Sequence, residues 1–363
     1  MLALLLSFGV SLVVTLLIVR SANAHSGLSA DHDLSGPQKF HARPVPRIGG
    51  VAVMAGLFAG AMLVQVRRPD LAALSWLLLA STLPTFIAGL SEDLTKRVSP
   101  RRRLFFTAVS ASLGIWLLDA AIKRSDVPGL DALLVFTPVA VLLTVVLVSG
   151  VANAFNIIDG FNGLASMCAL MMFVAIAYVA FQVRDDFVFN LALISAGAVI
   201  GFFLWNFPSG LIFLGDGGAY LLGFMVAELG ILLVNRNQSV SPLFPVLMCA
   251  YPLCETLFTM LRRKIRGAAA GAPDGIHLHS LIHRRVIRWS AGHSDESRQT
   301  SRNSMTSPYL WILCLACVVP SVLWWESTVA MAGFTALFVV SYTALYRSIV
   351  RFKTPTWLVV DRR

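Results

Sequence analysis

The stretch NAFNIIDGFNGLA, Asn153–Ala165, decides how this chain is read. Two amides (Asn153, Asn156), a carboxylate (Asp159) and two glycines (Gly160, Gly163) separate apolar runs that are each long enough to span a bilayer. Polar groups at such depth are costly unless partnered, so they are retained for a task. A second island, FLGDGG at Phe213–Gly218, repeats the pattern with one carboxylate among glycines. Together the two islands predict a polar site at the end of a helical bundle.

The chain has 57% hydrophobic and only 13% charged residues, whereas a soluble domain carries about 25% charged residues. Lipid must therefore solvate much of its surface. Eleven apolar runs read as transmembrane helices: Met1–Val19, Ile48–Val66, Leu71–Leu90, Leu104–Ile122, Leu133–Val151, Leu164–Gln182, Phe187–Trp205, Gly218–Val234, Pro242–Leu261, Tyr309–Trp325 and Thr328–Tyr346. The fold expected is an all-α polytopic membrane protein, one integral-membrane domain over residues 1–363.

Of the 29 Lys and Arg, 23 fall in the odd-numbered connections and the C-terminal tail, and 6 in the even-numbered ones. The positive-inside rule then puts the N-terminus outside (periplasmic) and the basic tail, 347–363, in the cytoplasm. Topology accounts for the net charge of +10, so no nucleic-acid partner is expected. Ala22-Asn23-Ala24 resembles a signal-peptide cleavage site, but Arg20 follows the apolar core and no positive charge precedes it, which favours a retained helix. The five cysteines lie in apolar helices, and Cys314-x-x-Cys317 reads as packing. The longest polar segment, 262–308, carries a His motif, and its last part, SAGHSDESRQTSRNSMTS, lacks apolar periodicity and is expected to be mobile.

Five polar islands, His41–Gly50, Ser91–Arg103, Asn153–Gly163, Asn206–Gly217 and Pro273–Arg285, all fall in odd-numbered connections. They converge on the cytoplasmic face and predict one site there. Glu92, Asp93, Asp159 and Asp216 would repel one another unless a cation lay between them. Oxygen ligands suit Mg²⁺ or Mn²⁺ better than zinc. The bland alternative pairs Glu92 and Asp93 with Lys96, Arg97 or Arg101–Arg103; Asp159 and Asp216 lack basic residues nearby in sequence. Glycines beside Asp159 and Asp216 allow close backbone approach to a phosphate. In GPQKFHARPVPRIGG, Lys39, His41, Arg43 and Arg47 are held by three prolines as a basic loop suited to phosphates. His277, His279 and His283 beside Arg284 and Arg285 suit phosphate better than zinc; surface histidines are the alternative. Within spans, Glu228 hints at a transport path, and Glu255 is placed to support the site.

These motifs resemble the polyprenyl-phosphate N-acetylhexosamine-1-phosphate transferases, glycosyltransferase family 4, over roughly Lys39 to Arg285. The resemblance implies an Mg²⁺-dependent enzyme of the bacterial inner membrane. It would take a UDP-sugar and undecaprenyl phosphate among membrane lipids and initiate a cell-surface glycan such as the O-antigen of lipopolysaccharide. Homodimerisation is compatible with the sequence. The resemblance further implies catalytic roles for Glu92, Asp93 and Asp159, and substrate contacts from Lys39, His41, Arg47, Asn153, Asn156 and Asn162. It implies nucleobase contacts from Asn206 and Phe213, diphosphate contacts from His277 and His279, and metal binding by Asp216. Three departures stand out: Glu92 replaces the first aspartate of the acidic pair, Asn162 is not acidic, and His277-Leu278-His279-Ser280 lacks a third histidine. A secondary transporter with helices broken at Asp159 and Asp216, and an inactive lipid-sugar-binding scaffold, are the competing readings.

Overall fold

The computed structural model describes residues 1–23, 27, 30–31, 44–265, 276–287 and 296–351. The helices, in chain order, are α1 (Leu2–Arg20), α2 (Gly49–Arg67), α3 (Pro69–Thr95), α4 (Pro100–Leu118), α5 (Leu130–Leu134), α6 (Thr137–Ile158), α7 (Leu164–Gln182) and α8 (Asp186–Asn206). They continue as α9 (Gly215–Arg236), α10 (Phe244–Met248), α11 (Ala250–Ile265), α12 (Leu278–Arg285), α13 (Glu296–Leu323) and α14 (Thr328–Val350). Two residues of β1 (Ala30–Asp31) pair antiparallel with β2 (Val45–Pro46). Helices satisfy their own backbone, which lipid requires. Among the described residues, nine are long and apolar enough to cross a membrane. Helix α4 falls outside that set, and its sequence opens on three consecutive arginines.

Helix α9 is the central post: every residue from Gly215 to Val234 is buried. Its first turn wedges between α2 and α3, and small residues make the fit. A Cβ added at Gly89 would lie 2.6 Å from the Gly217 Cα, and one at Gly50 would lie 2.5 Å from the Gly218 Cα. Helix α1 sits at the periphery and buries a stripe of hydroxyls spaced by four. Ser7 Oγ donates to the Ile194 carbonyl (2.8 Å) and Ser11 Oγ to the Ala198 carbonyl (2.7 Å), both on α8. In α3, Pro84 interrupts the helix ladder, and the next amide, that of Thr85, donates to Ser110 Oγ of α4 at 3.0 Å.

Two expectations need correction. The apolar run Pro242–Leu261 is not one helix but α10 and α11, broken at Cys249. Pro252 has no amide to give, and its ring collides with the carbonyl four residues back, that of Met248, where α10 stops. The second correction concerns 262–308. Its end is not a separate polar segment, since α13 begins at Glu296 and runs unbroken into the apolar span. Hydropathy misses this because Asn303, Ser304, Thr306 and Ser307 are buried with partners on the protein.

Gly89→Val forces a branched side chain against the α9 backbone, and such overpacking costs about 1–3 kcal/mol. It should lower the melting temperature in detergent. Gly150→Ala, which meets nothing within 4 Å, should leave that temperature unchanged or slightly raised.

Candidate active site

The first turn of α9 has free amides and no side-chain cap of its own; Leu214 precedes it. Asp93, near the end of α3 and 3% exposed, caps it from another helix. Its Oδ1 accepts from the Asp216 amide at 2.8 Å and its Oδ2 from the Gly217 amide at 2.9 Å. A carboxylate at a helix N-terminus also meets the positive end of the dipole. Gly215 makes the approach possible: it adopts φ +76°, and a Cβ there would lie 2.6 Å from Asp93 Oδ2. The chain before α2 zips onto the same turn, with Phe213 N donating to the Pro46 carbonyl (2.8 Å), Gly49 N to that of Phe213 (3.0 Å) and Gly50 N to that of Leu214 (2.9 Å).

Asp216, thus oriented, gathers donors from three elements. Asn156 Nδ2 donates to Oδ1 at 2.8 Å, Arg47 Nη2 reaches the same oxygen at 3.5 Å, and Arg103 Nη1 pairs with Oδ2. Arg47 also lies 3.9 Å from Asp93 Oδ1. The Arg103 guanidinium sits 5.7 Å from the centre of the Tyr220 ring, and Tyr220 donates its hydroxyl to Asn153 Oδ1 at 3.1 Å. Five expected residues (Arg47, Asp93, Asn153, Asn156, Asp216) therefore belong to one network. Asp216 does have basic partners, brought by the fold from α4 and from the chain before α2.

Asp159 follows α6 in the turn before α7. Among the described residues no hydrogen bond or salt bridge holds its carboxylate. It is partly accessible yet surrounded deeply enough that burial pushes its pKa up to about 7, with the positive charge of Arg47 opposing. The neighbouring Gly160 faces the histidine helix: a Cβ there would lie 3.3 Å from His279 Nε2. Glu255 of α11 organises that helix, accepting from the Leu278 amide at 2.8 Å, from His277 Nδ1 at 3.2 Å and from the Tyr342 hydroxyl at 2.7 Å. The His277 and His279 rings stack with centroids 5.0 Å apart. None of the three histidines is on the surface. His283 contacts Thr306 Oγ1 at 3.0 Å, and burial beside Arg302 and Arg284 pushes its pKa down to about 3, so it is neutral.

Other expected residues hold backbone instead. Glu92 Oε2 accepts from the Val98 amide at 2.6 Å, tying down the loop after α3. Asn206 accepts from the Gly163 amide (2.6 Å) and donates to the Ile212 carbonyl (2.7 Å). Asn162 is clamped by α13: its amide donates to Asn303 Oδ1 at 2.9 Å and its carbonyl accepts from Ser307 Oγ at 2.6 Å. Phe213 is half-buried beside the turn. Lys39 and His41 lie outside the described residues. Sequence reasoning passed over Tyr220, Tyr342 and Asn303, and offered Arg103 only as a partner of Glu92 and Asp93. The signal for Arg103 was a polar stripe at helical spacing, Arg103, Thr107, Ser110 and Gly114, on one face of α4.

The residues as arranged do not fit a free metal ion. Both oxygens of Asp216 face cationic or amide donors, and among the described residues no three His, Cys, Asp or Glu converge as ligands. A cavity of about 200 Å³ lies along the far half of α9. Leu147, Val151, Ile231 and Pro245 line it, with Arg124 and Asn235 at its polar edge, away from this chemistry.

A family model for glycosyl transferase family 4 matches residues 75–234, which include Asp93, Arg103, Asn156, Asp159 and Asp216. Over that segment the chain resembles that family. It is 26% identical to the undecaprenyl-phosphate alpha-N-acetylglucosaminyl 1-phosphate transferase of Thermotoga maritima, over 71% of this chain and 74% of that one. It is 28% identical to the decaprenyl-phosphate N-acetylglucosaminephosphotransferase of Mycobacterium tuberculosis (68% and 69% covered). It is 29% identical to the phospho-N-acetylmuramoyl-pentapeptide-transferase of a Nocardioides species (72% and 82% covered). In this chain the two halves of the acidic pair differ in task, since Asp93 caps α9 and Glu92 anchors a loop.

That difference is measurable. Asp93→Asn can accept from one amide only, and a buried amide left unmet costs about 1–3 kcal/mol. It should melt earlier than Glu92→Gln, whose carbonyl can still accept from Val98.

Proposed function

We infer that this chain transfers an N-acetylhexosamine 1-phosphate from a UDP-sugar to undecaprenyl phosphate, releasing UMP. The reaction would start a lipid-linked cell-surface glycan at the cytoplasmic face of the bacterial inner membrane. The observation that carries this reading is the meeting of Arg47 and Arg103 with Asp216 at the entrance of α9, beside an uncommitted carboxylate, Asp159. Transfer of a phosphoryl group needs positioning and charge neutralisation more than a special nucleophile. Two guanidiniums offer a diphosphate that neutralisation. The names of the relatives support the same substrate class.

In this reaction an oxygen of the lipid phosphate attacks the sugar-linked phosphorus. A new P–O bond forms, the bond to the bridging oxygen breaks, and UMP leaves with that oxygen. Asp159 suits the task of removing the remaining proton from the lipid phosphate, whose second pKa is about 6. Asp93 suits it poorly, because both of its oxygens already accept backbone amides. A base near pKa 7 is matched to the operating pH. His277 and His279, aligned by Glu255, stand beside the Asp159 turn and are suited to the donor phosphates. The transporter reading draws on Glu228, but that residue is fully buried against Gly114.

The test is purified protein in detergent with undecaprenyl phosphate and a panel of UDP-N-acetylhexosamines. UMP release that requires the lipid is expected; none from any donor, with folded protein, overturns the reading. Because Asp159 works deprotonated, kcat should climb as pH rises through about 7. Asp159→Asn should remove that limb and lower kcat by about 10²–10⁴.

A further inference from the structure

Asp216 is the residue that the family resemblance assigns to a metal, yet its carboxylate is closed. Arg103 pairs with Oδ2, while Asn156 and Arg47 take Oδ1 at 2.8 and 3.5 Å. A guanidinium and a divalent cation compete for the same lone pairs, and each repels the other. Mg²⁺ also dehydrates reluctantly and needs oxygen ligands, which two arginines cannot supply. As arranged, a free cation is excluded.

Arg103 is itself under-used. A guanidinium carries five N–H donors, and here Nη1 meets Asp216 while Nε is buried without a partner. The side chain is only 12% exposed and its plane rests near the Tyr220 ring. The backbone that bears it is fixed, because Thr107 and Ser110, on the same face of α4, are bonded to Thr85 of α3. Such a fork, anchored and short of acceptors, matches a phosphate group better than a single carboxylate oxygen.

We propose that Arg103 holds Asp216 closed to free divalent cations and moves onto the phosphate oxygens of an arriving nucleoside diphosphate. Resting on the transferase reading above, this makes Arg103 a donor-binding residue.

Two titrations on detergent-purified protein test it, neither requiring sugar transfer. In the first, Mn²⁺ alone is added and the free ion followed by electron paramagnetic resonance. Arg103→Gln should bind it about 10- to 100-fold more tightly than wild type, in the range of a typical coupling, and Arg103→Gln with Asp216→Asn should lose that gain. In the second, UDP is titrated calorimetrically in EDTA, and Arg103→Gln should bind it more weakly than wild type. A general folding defect would weaken both, so opposite signs are diagnostic. Arg103→Lys keeps the charge without the fork; it should still exclude Mn²⁺ while losing UDP affinity, and serves if the Gln variant does not fold. Equal Mn²⁺ binding by wild type and Arg103→Gln, or undiminished UDP binding in EDTA, overturns the proposal. The expected pattern without UMP release would uphold it and count against the transferase reading alone.

Discussion

Two backbone amides at the start of α9 depend on one carboxylate from a different helix, and most of the site depends on that bond pair. Asp93 can reach the Asp216 and Gly217 amides only because Gly215 turns the chain at φ +76° and because Gly89 lets α3 press against Gly217. Once the turn is held, Asp216 is aimed at Asn156, Arg47 and Arg103. The segment from Pro46 to Gly50 is stitched to Phe213 and Leu214 by three backbone bonds, which brings Arg47 to the same place. A helix start buried without caps would be unstable in apolar surroundings. Capping and the assembly of charged groups are here one event.

A second tier works in the same way at the histidine helix. Glu255 joins α11 to α12 and to Tyr342 of α14, so elements distant in sequence share one buried carboxylate. Asn303 and Ser307 of α13 fasten Asn162, three residues after Asp159. These bonds lie among apolar side chains, where a satisfied polar network is rigid and a half-satisfied one is costly. Rigidity of this kind is what a reaction governed by positioning requires.

Much of this was legible from sequence because lipid imposes a simple rule. Apolar runs mark helices, so polar residues that interrupt them stand out, and the islands at Asn153–Gly163 and Phe213–Gly218 did. What could not be read were facts of partnership. Pro252 looked like one residue of an apolar run, yet it breaks the run because of what lies four residues earlier. The polar start of α13 looked unstructured because its partners, Asn162 and His283, are far away in the chain. Asn206 carried a polar signal as strong as that of Asn156, but it faces Gly163 and Ile212 backbone while Asn156 faces Asp216. Composition shows that a polar group must be met; it does not show by what.

The most direct measurement is an experimentally determined structure of the protein with UDP bound. The diphosphate should lie within hydrogen-bonding distance of Arg103 and Arg47, with Asp93 still accepting from the amides of Asp216 and Gly217. A nucleotide lodged elsewhere, such as the cavity edged by Arg124 and Asn235, or an Asp93 detached from α9, would contradict the account.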